Sequence, residues 1–277
     1  MKRISQGELK SIELEILKDF VSFCKKNGYR YFLCGGTLIG AIRHKGFIPW
    51  DDDIDIMMPR EDYIRCIRNY KNKYYKFDSI VNNNSSRLRF ARLYDRRTVL
   101  CSSWKKEMNE SVFIDIFPID GLPNNVILQY IIVAWHQLLV YIHLSTILKF
   151  TISQRYNDRD AGFIEWKKYM RTALKYIVKI LIGWTSPNIW ARILNMTASA
   201  YKFSRSNYAA VLVSGPHGLK EIMPIKIYND YTMDFENLKV NGLSGYDYYL
   251  SKLYGNYMEM PPAEKRESHH GFIAYWI

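Results

Sequence analysis

Apolar side chains recur every three or four positions over the first part of the chain. Ser5 and Glu8 have the spacing of a helix capping box, and Gly28 supplies a stop signal. Between them the apolar residues fall on one face of a helix, and charged residues occupy the opposite face. The pattern predicts an amphipathic helix from Ser5 to Gly28, with a core face formed by Leu9, Ile12, Ile16, Leu17, Phe20 and Phe23.

Shorter alternating patterns follow this helix. The segment "YRYFLC" predicts a strand that ends at a glycine pair, and "TLIGAIRH" predicts a short helix after the pair. "DIDIMM" alternates acidic and apolar residues, which is the period of a strand with one polar face. A helix is predicted at 61–70, and further strands at 87–94, 97–103 and 112–117, the last ending before Pro118. This mixture of elements predicts an α+β fold.

The hydrophobic pattern changes at Asn124. Residues 126–150 are almost continuously apolar and about long enough to cross a hydrocarbon core of roughly 30 Å. Polar residues are costly in hydrocarbon, and several interrupt this segment: Gln129, His136, Gln137, His143 and Lys149. We therefore expect a helix that is buried or lies in a membrane interface, rather than a membrane span.

A basic, aromatic-rich helix is predicted at residues 166–179. Such a helix rests on anionic lipid, or it packs one face on the core and leaves its lysine face in water. Beyond it we expect a helix after Pro187, short strands at 209–214 and 231–235, and a tyrosine-rich helix near 246–254. We divide the chain into a catalytic core (1–123), a helical insertion (124–205) that is a candidate for membrane association, and a C-terminal part (206–277) that packs back on the core.

Composition narrows the class of protein. The chain has 277 residues, of which 48 % are hydrophobic, so it is long and apolar enough to form a sizeable core. Its formal net charge of +12 indicates anionic partners, and charge alone does not choose among nucleotide phosphates, acidic lipids, teichoic-type polymers and nucleic acid. Four scattered cysteines predict reduced thiols, and the N-terminus lacks the features of a secretory signal, so we expect a cytoplasmic protein.

The glycine pair is the first candidate for chemistry. Gly35 and Gly36 end a predicted strand, and Thr37 begins the predicted helix. Glycine lets the backbone approach an oxyanion closely, and the unpaired N–H groups of a helix start favour negative charge. This turn is therefore a candidate phosphate-binding site.

Two acidic strands are the second candidate. Asp53 and Asp55 fall on one face of a predicted strand, and their carboxylates repel each other unless a cation lies between them. Oxygen ligands of this kind suit Mg²⁺. Asp51 and Asp52 precede the strand and are expected to extend a solvated turn. Asp115 interrupts a core-like strand further along, which completes a set of carboxylates suited to two-metal, in-line phosphoryl transfer.

Three blocks of the sequence resemble a known family. "GGTLIGAIRHKGFIPWDDDIDIMMPREDY" closely resembles the signature of the LicD family, whose members are bacterial phosphocholine transferases related to fukutin and fukutin-related protein. "FIDIFPIDGLP" resembles the next block, and "YLSKLYGNYMEMPPAEKRESHH" resembles the C-terminal block, whereas about 124–220 carries no match. The resemblance implies a nucleotidyltransferase-like core with a mixed β-sheet and flanking helices.

The resemblance also implies roles for individual residues. Donor phosphates would be held by Gly35, Gly36 and Thr37. The cation, Mg²⁺ or Mn²⁺ in its place, would be held by Asp53, Asp55 and Asp115, which are also the catalytic residues.

Basic residues near these motifs complete the implied site. Arg43 and His44 follow the short helix, where they would meet a phosphate oxygen, and Arg92 falls where the family often has a lysine. A guanidinium at this position suits a diphosphate, although Arg92 is equally compatible with a surface strand. Asn256 stands where many relatives have aspartate. We assign no role to it, or to His269 and His270.

The implied reaction is transfer of phosphocholine from CDP-choline to a sugar hydroxyl of teichoic acid, capsule or lipopolysaccharide, with release of CMP. Trp50, Tyr63 and Trp104 lie near the motifs and are candidates for an aromatic cage around a quaternary ammonium. Glycerol phosphate and ribitol phosphate are alternative groups of the same family. A nucleotidyltransferase that uses an NTP and a non-catalytic membrane adaptor are the rivals from other classes. The expected partners are a CDP-alcohol, a lipid-linked glycan and an anionic membrane at the inner face of the bacterial plasma membrane, without nucleic acid.

Overall fold

The computed structural model describes residues 1–102, 108–147, 173, 176–214, 216–262, 264, 266 and 272–277. Helix α1 spans Gln6–Asn27 and buries its apolar face. Its capping box is formed in both directions, because the Ser5 hydroxyl accepts from Glu8 N–H at 3.2 Å and a Glu8 carboxylate oxygen accepts from Ser5 N–H at 2.9 Å. Gly28 ends the helix in the left-handed region with φ 66°. The predicted first helix is confirmed.

A seven-stranded sheet forms the centre of the molecule. Helix α2 (Gly35–His44) connects its first two strands, and helix α3 (Arg60–Asn69) follows the second. The strands are β2 (Phe32–Leu33), β3 (Asp55–Pro59), β4 (Tyr75–Asp78), β5 (Ala91–Asp95), β8 (Phe113–Leu122), β9 (Tyr208–Ala210) and β10 (Met223–Pro224). Strand β8 runs parallel to β3 and antiparallel to β5 and β9. The predicted α+β class is confirmed.

Strand β8 is longer than the sequence predicts. It continues through Pro118 to Leu122, whereas we expected it to end before the proline. Pro118 lies between the residues that pair with β5 and those that pair with β9. This part of the strand edge needs no hydrogen bond from residue 118, so proline is tolerated there.

The remaining strands bring the end of the chain onto its beginning. A second sheet pairs β13 (Phe272–Trp276) with β1 (Lys2–Arg3) and β6 (Thr98–Ser102), and β6 pairs with β7 (Met108–Glu110). A hairpin of β11 (Asp230–Phe235) and β12 (Leu238–Leu243) precedes a further helix, Tyr246–Tyr254. Residues after 206 thus contribute strands to both large sheets. The division into three units at 123 and 205 stays a prediction.

Helix α4 (Val126–Ile147) packs several of its polar side chains inward. It is the one helix of the described residues that is long and apolar enough to cross a membrane. Gln129 donates to the Pro123 carbonyl at 2.7 Å, and the His143 ring bonds the Arg87 carbonyl at 2.9 Å. Both side chains are buried, as is His136. These bonds attach α4 lengthwise to the protein.

Helix α5 (Pro187–Ala198) docks on the core through Asn195, which contacts a buried ion pair of the core. Arg60 donates from Nε and Nη2 to the two carboxylate oxygens of Asp120, each at 2.7 Å, and from Nη1 to Asn195 at 2.8 Å. Thr197 of the same helix bonds the ring of His136 at 3.1 Å. The bidentate geometry satisfies both charges, which a buried pair requires. The interface between the core and the helices is therefore polar and specific.

The outward surface of these helices is apolar. On α4 the exposed positions include Ile131, at 58 %, and Trp135, at 50 %. Residues 176–182 are also helical, and Trp184 just after them is 84 % exposed. Most of the basic helix predicted at 166–179 lies outside the described residues.

Candidate functional site

The glycine turn lies at the start of α2, directly against acidic side chains. Gly35 has φ 56°, and a Cβ atom built on it would lie 3.0 Å from Asp55 Oδ2. A Cβ atom on Gly36 would lie 2.7 Å from Asp51 Oδ2. The glycines therefore make room for two carboxylates as well as for a left-handed turn. A phosphate placed at this helix start would need a cation between itself and those carboxylates.

Thr37 supports the backbone of the acidic segment. Its buried hydroxyl accepts a hydrogen bond from Asp55 N–H at 2.8 Å and donates to the Asp53 carbonyl at 3.5 Å. With both partners inside the protein, this hydroxyl fixes the distance between α2 and the start of β3. A contact between the Thr37 side chain and donor phosphates stays a prediction.

Charged side chains form a row across four neighbouring strands. Asp55 of β3 pairs in register with Asp115 of β8, Asp115 with Arg92 of β5, and Arg92 with Asp78 of β4. Register partners on adjacent strands point to the same face of a sheet and lie about 5 Å apart. We call these four residues the charged row. The sheet thus joins side chains that are far apart in sequence.

Arg92 is held by carboxylates of two other strands, β8 and β7. Its Nε atom donates to Asp115 Oδ1 at 3.0 Å, and Nη1 donates to Glu110 at 3.2 Å. The guanidinium lies over the Phe113 ring, 3.9 Å from its centre. These contacts fix Arg92 at the site. The sequence alone was equally compatible with a residue on a surface strand. Its binding of a diphosphate stays a prediction.

Electrostatic repulsion is concentrated at Asp55. Burial raises the pKa of Asp55 well above its usual value, and the charges of Asp53, Asp115 and Asp51 raise it further. A bound cation reverses this effect, because it stabilises the ionised form of each carboxylate. The arrangement thus favours positive charge at the glycine end of the row.

The environment of the aspartates before β3 differs in part from the predicted one. The strand begins at Asp55, but exposure alternates from Asp53 onward, with Ile54 and Ile56 fully buried. Asp53 and Asp55 therefore share a face, as predicted. The solvated turn expected for Asp51 and Asp52 is wrong: Asp52 is only 5 % exposed, and Asp51 meets the backbone at Gly36. Packing against α1 and α2 encloses this segment.

Glu13 of α1 is an acidic residue that sequence reasoning missed. It is 2 % exposed, and its Oε2 atom has no hydrogen-bond partner. Burial raises its pKa well above the usual value, and the charges of Asp53 and Asp52 add to this effect. Its place between Ile12 and Leu14, on the apolar side of an amphipathic helix, was the available signal.

Arg89 is a missed cation near the same aspartates. Its guanidinium donates to the Val213 carbonyl at 2.9 Å. Burial lowers the pKa of Arg89 to about 10, against the opposing effect of the Asp115 carboxylate. Its position three residues before Arg92 gave no distinguishing pattern, because arginines are frequent in this part of the sequence.

The carboxylates suit a cation that also binds substrate. No three histidine, cysteine, aspartate or glutamate side chains within the described ranges are arranged to hold a metal ion by themselves. Mg²⁺ commonly retains several waters and uses one or two protein carboxylates together with substrate phosphates. Asp55 and Asp115 are register partners, and together with Asp53 they fit this open mode of binding. They do not fit a closed structural metal site.

Arg43 and His44 are directed toward the C-terminal block. Arg43 Nη1 donates to the carbonyls of Tyr257 and Glu259 at 3.0 and 3.2 Å, and Nε donates to His44 Nε2 at 2.9 Å. Burial and the Arg43 charge lower the pKa of His44. Arg43 therefore attaches α2 to the turn after residue 255. Contact of either side chain with a phosphate stays a prediction.

The predicted aromatic cage loses one of its members, Tyr63, among the residues that the structure describes. Tyr63 is fully buried in the core, so it cannot meet a ligand, and this part of the prediction is wrong. Trp50 packs edge-on to His44 and faces Arg266. Asn256 donates to Glu259 at 3.2 Å within its own turn. Trp104, His269 and His270 lie outside the described residues.

Comparison with known proteins places this geometry in a family. Residues 28–143 match the family described as "LicD/FKTN/FKRP, nucleotidyltransferase domain". This range contains the glycine turn, the Asp-x-Asp segment and the whole charged row. The chain therefore contains a LicD-family domain. The resemblance of the first two sequence blocks, which lie in this range, is confirmed.

Individual relatives extend the match beyond this domain. The chain is 29 % identical over 286 aligned residues to the lipopolysaccharide cholinephosphotransferase LicD of Haemophilus influenzae, and the alignment covers 99 % of both chains. It is 42 % identical over 52 residues to the human ribitol 5-phosphate transferase FKRP, which is 19 % of this chain and 10 % of FKRP. An uncharacterised protein of Rickettsia typhi is 43 % identical over 65 residues, 23 % of this chain and 21 % of that protein. The chain is thus similar to transferases of two different phospho-alcohols.

Proposed function

We propose that this protein transfers phosphocholine from CDP-choline to a sugar hydroxyl of a cell-surface glycan and releases CMP. The observation that carries the proposal is the register of Asp55, Asp115 and Arg92 beside the glycine turn. Similarity over nearly the full chain to a lipopolysaccharide cholinephosphotransferase supports the transferred group and the acceptor class. Teichoic acid and capsule are further acceptors of the same chemistry. We also infer that the central sheet is a nucleotidyltransferase-type core, as the family description indicates.

The residues of the site account for the steps of such a transfer. The acceptor oxygen forms a bond to the phosphorus that carries choline, and the bond from this phosphorus to the bridging oxygen breaks. CMP leaves with the electron pair. Asp115 lies between Asp55 and Arg92, so it is placed to take the hydroxyl proton. Arg92 stabilises negative charge, and Mg²⁺ or Mn²⁺ held by Asp53, Asp55 and Asp115 supplies charge neutralisation of the diphosphate.

Release of CMP tests the function. The purified protein is incubated with Mg²⁺, lipopolysaccharide and, in separate reactions, CDP-choline, CDP-glycerol, CDP-ribitol or CTP. We expect CMP from CDP-choline, and incorporation of choline phosphate into the glycan measured by mass spectrometry. CMP from CDP-ribitol alone would favour the group named for FKRP, and pyrophosphate from CTP would show nucleotidyl transfer instead.

Substitution of the charged row tests the site. Asp55→Asn and Asp115→Asn should each lower turnover by about a hundredfold or more, because they remove charge where the diphosphate reacts. Asp230→Asn, at an exposed position of β11, is the matched control and should retain activity. Wild-type turnover in both row variants, with folding verified by circular dichroism, would refute the assignment.

We further propose that the outward face of α4 rests in an anionic membrane at the inner face of the bacterial plasma membrane. Its polar face is already bonded to the protein through Gln129 and His143, so the helix is placed to lie along the surface rather than cross the bilayer. Exposed Trp135 and Trp184 suit the membrane interface, where tryptophan is enriched. The formal charge of +12 favours anionic lipid.

Vesicle sedimentation tests the membrane proposal. Wild-type protein should bind phosphatidylglycerol-containing vesicles and bind pure phosphatidylcholine vesicles more weakly. The double variant Ile131→Glu/Trp135→Glu should bind at least about tenfold more weakly, because charge enters the apolar face. Tyr231→Glu/Tyr248→Glu adds the same charge at exposed positions elsewhere and should bind as wild type. Equal binding of both double variants would exclude α4 as the contact surface.

A further inference from the structure

A cavity of about 530 Å³ opens at the far end of the charged row from the glycine turn. Arg92 and Asp78 of the row line it, and so do Tyr94 and Phe113, which are register partners on β5 and β8. Its volume is in the range of small-molecule sites. The cavity therefore adjoins the proposed reaction centre through a shared arginine, on the side opposite α2.

The chemistry of the cavity wall is polar and electrically balanced. Two carboxylates, Asp78 and Glu110, face two guanidinium groups, Arg87 and Arg92. Hydroxyl and amide groups fill the spaces between them, contributed by Asn83, Ser85, Ser86, Tyr94 and Ser111. Such a wall offers donors and acceptors in similar numbers, which suits a neutral polyhydroxylated ligand. A site for a phosphate or a diphosphate would have an excess of cations.

The wall is also preorganised. Asn83 donates to Asp78 at 2.9 Å, and its side-chain oxygen accepts from Ser85 N–H at 3.0 Å. Ser86 is buried, and its N–H donates to the Asn83 carbonyl at 3.0 Å. A loop held in this way presents fixed hydrogen-bonding groups and loses little entropy when a ligand binds.

Helices α4 and α5 of the helical insertion form hydrogen bonds with the same loop, residues 83–87. Asn188 and Arg192 of α5 both donate to the Asn84 carbonyl, at 3.3 and 2.6 Å. His143 of α4 bonds the carbonyl of Arg87, a residue of the cavity wall. The helices proposed to rest on the membrane are thus directly connected to the wall of the cavity.

We propose that this cavity binds the sugar of the acceptor glycan and presents its hydroxyl to the charged row. The proposal rests on the proposed function, and it adds the subsite that selects the acceptor. The donor diphosphate occupies the end of the row at Gly35 and Gly36, so the acceptor enters from the Arg92 end. Tyr94 contributes an aromatic ring and a hydroxyl for a sugar ring, and Asp78 and Asn83 contribute hydrogen-bonding groups for its hydroxyls.

The test separates acceptor binding from donor chemistry. Ser85→Trp fills the cavity with a large side chain, and Tyr94→Ala removes an aromatic ring from the cavity wall. Ser199→Trp is the matched control, because it makes the same serine-to-tryptophan change at an exposed position outside the cavity. The acceptor probe is deacylated lipopolysaccharide oligosaccharide of Haemophilus influenzae, and its binding to the whole protein is measured by calorimetry in the absence of donor. CMP binding is measured in parallel, and thermal melting verifies folding.

We expect Ser85→Trp and Tyr94→Ala to weaken oligosaccharide binding and raise the acceptor KM by about tenfold or more. CMP binding should stay at the wild-type level in both variants, and Ser199→Trp should bind both ligands as the wild type does. Loss of CMP binding with intact oligosaccharide binding would overturn the proposal and assign the cavity to the donor nucleotide. Unchanged binding of both ligands would also overturn it. Absence of CMP release from CDP-choline by the wild-type protein would instead refute the proposed function. The two failures are distinguishable, because the calorimetric result does not depend on turnover.

Discussion

Helices α1 and α4 have the same length, 22 residues, but differ in the side chains that they bury and expose. In α1 the apolar side chains Ile16 and Phe20 are fully buried and the charged side faces solvent. In α4 the buried face contains Gln129 and His143, and apolar residues such as Ile131 face outward. Burial of a polar group is costly unless it is hydrogen-bonded, and each of these two side chains makes a hydrogen bond to a backbone carbonyl. Apolar periodicity therefore identifies a helix, whereas the environment on each side decides which face is buried.

The largest difference between the two helices should appear on truncation of one apolar side chain in each. Ile16→Ala should lower the free energy of unfolding by about 2–5 kcal/mol, because it leaves a cavity in a closed core. Ile131→Ala should change it by less than about 0.5 kcal/mol, since Ile131 is already exposed. Urea unfolding followed by circular dichroism measures both. A loss at Ile131 as large as that at Ile16 would show that protein covers the outward face of α4 in solution.

A fall in pH should weaken the packing of α4 through His143, one of its two buried histidines, whereas α1 contains no histidine. Burial lowers the pKa of His143 to about 4, and the Arg89 charge contributes in the same direction. Because His143 Nε2 bonds a carbonyl, it carries the proton, and Nδ1 is buried with no hydrogen-bond partner. The neutral ring thus contributes stability that is fully present above pH 6.5 and is lost as the pH falls toward 4. The contribution is up to about 3 kcal/mol.

Substitution isolates this contribution. His143→Gln retains a donor for the Arg87 carbonyl but does not titrate, so its unfolding free energy should fall less between pH 6.5 and 4 than that of wild type. His44→Gln is the control: it removes a histidine from α2 and leaves α4 unchanged. An identical pH dependence in His143→Gln and wild type would show that other groups cause the acid sensitivity.

The smallest effects should be equal in the two helices. Both begin with a side-chain cap: Ser5 accepts from Glu8 N–H, and Asn125 accepts from Leu128 N–H at 3.1 Å. Ser5→Ala and Asn125→Ala should each lower the unfolding free energy by about 1 kcal/mol. Ser5→Asp and Asn125→Asp retain a capping oxygen and should stay near wild type. A negligible effect at Asn125 would mean that membrane or tertiary contacts, rather than the cap, fix the start of α4.

Local signals predicted the elements that carry the site. The glycine pair, the Asp-x-Asp alternation and the isolated Asp115 were each recognisable, because each breaks a hydrophobic pattern in a way that needs a partner. Glu13 and Asp52 were not recognised as buried. Their burial depends on α1 packing over a segment some 40 residues away, and no local period reports such packing. Tyr63 was misassigned for the same reason, since nearness in sequence does not place a ring at a site.

The sequence by itself determined the α+β class, the capped first helix and the residue types for binding a cation and a phosphate. Only the tertiary structure decided that Asp55, Asp115, Arg92 and Asp78 share one row, because strand register is set by long-range pairing. It also decided that Gln129 and His143 of α4 turn inward, through hydrogen bonds to the Pro123 and Arg87 carbonyls. Side-chain chemistry is local to the sequence, whereas the positions at which side chains meet are a property of the folded chain.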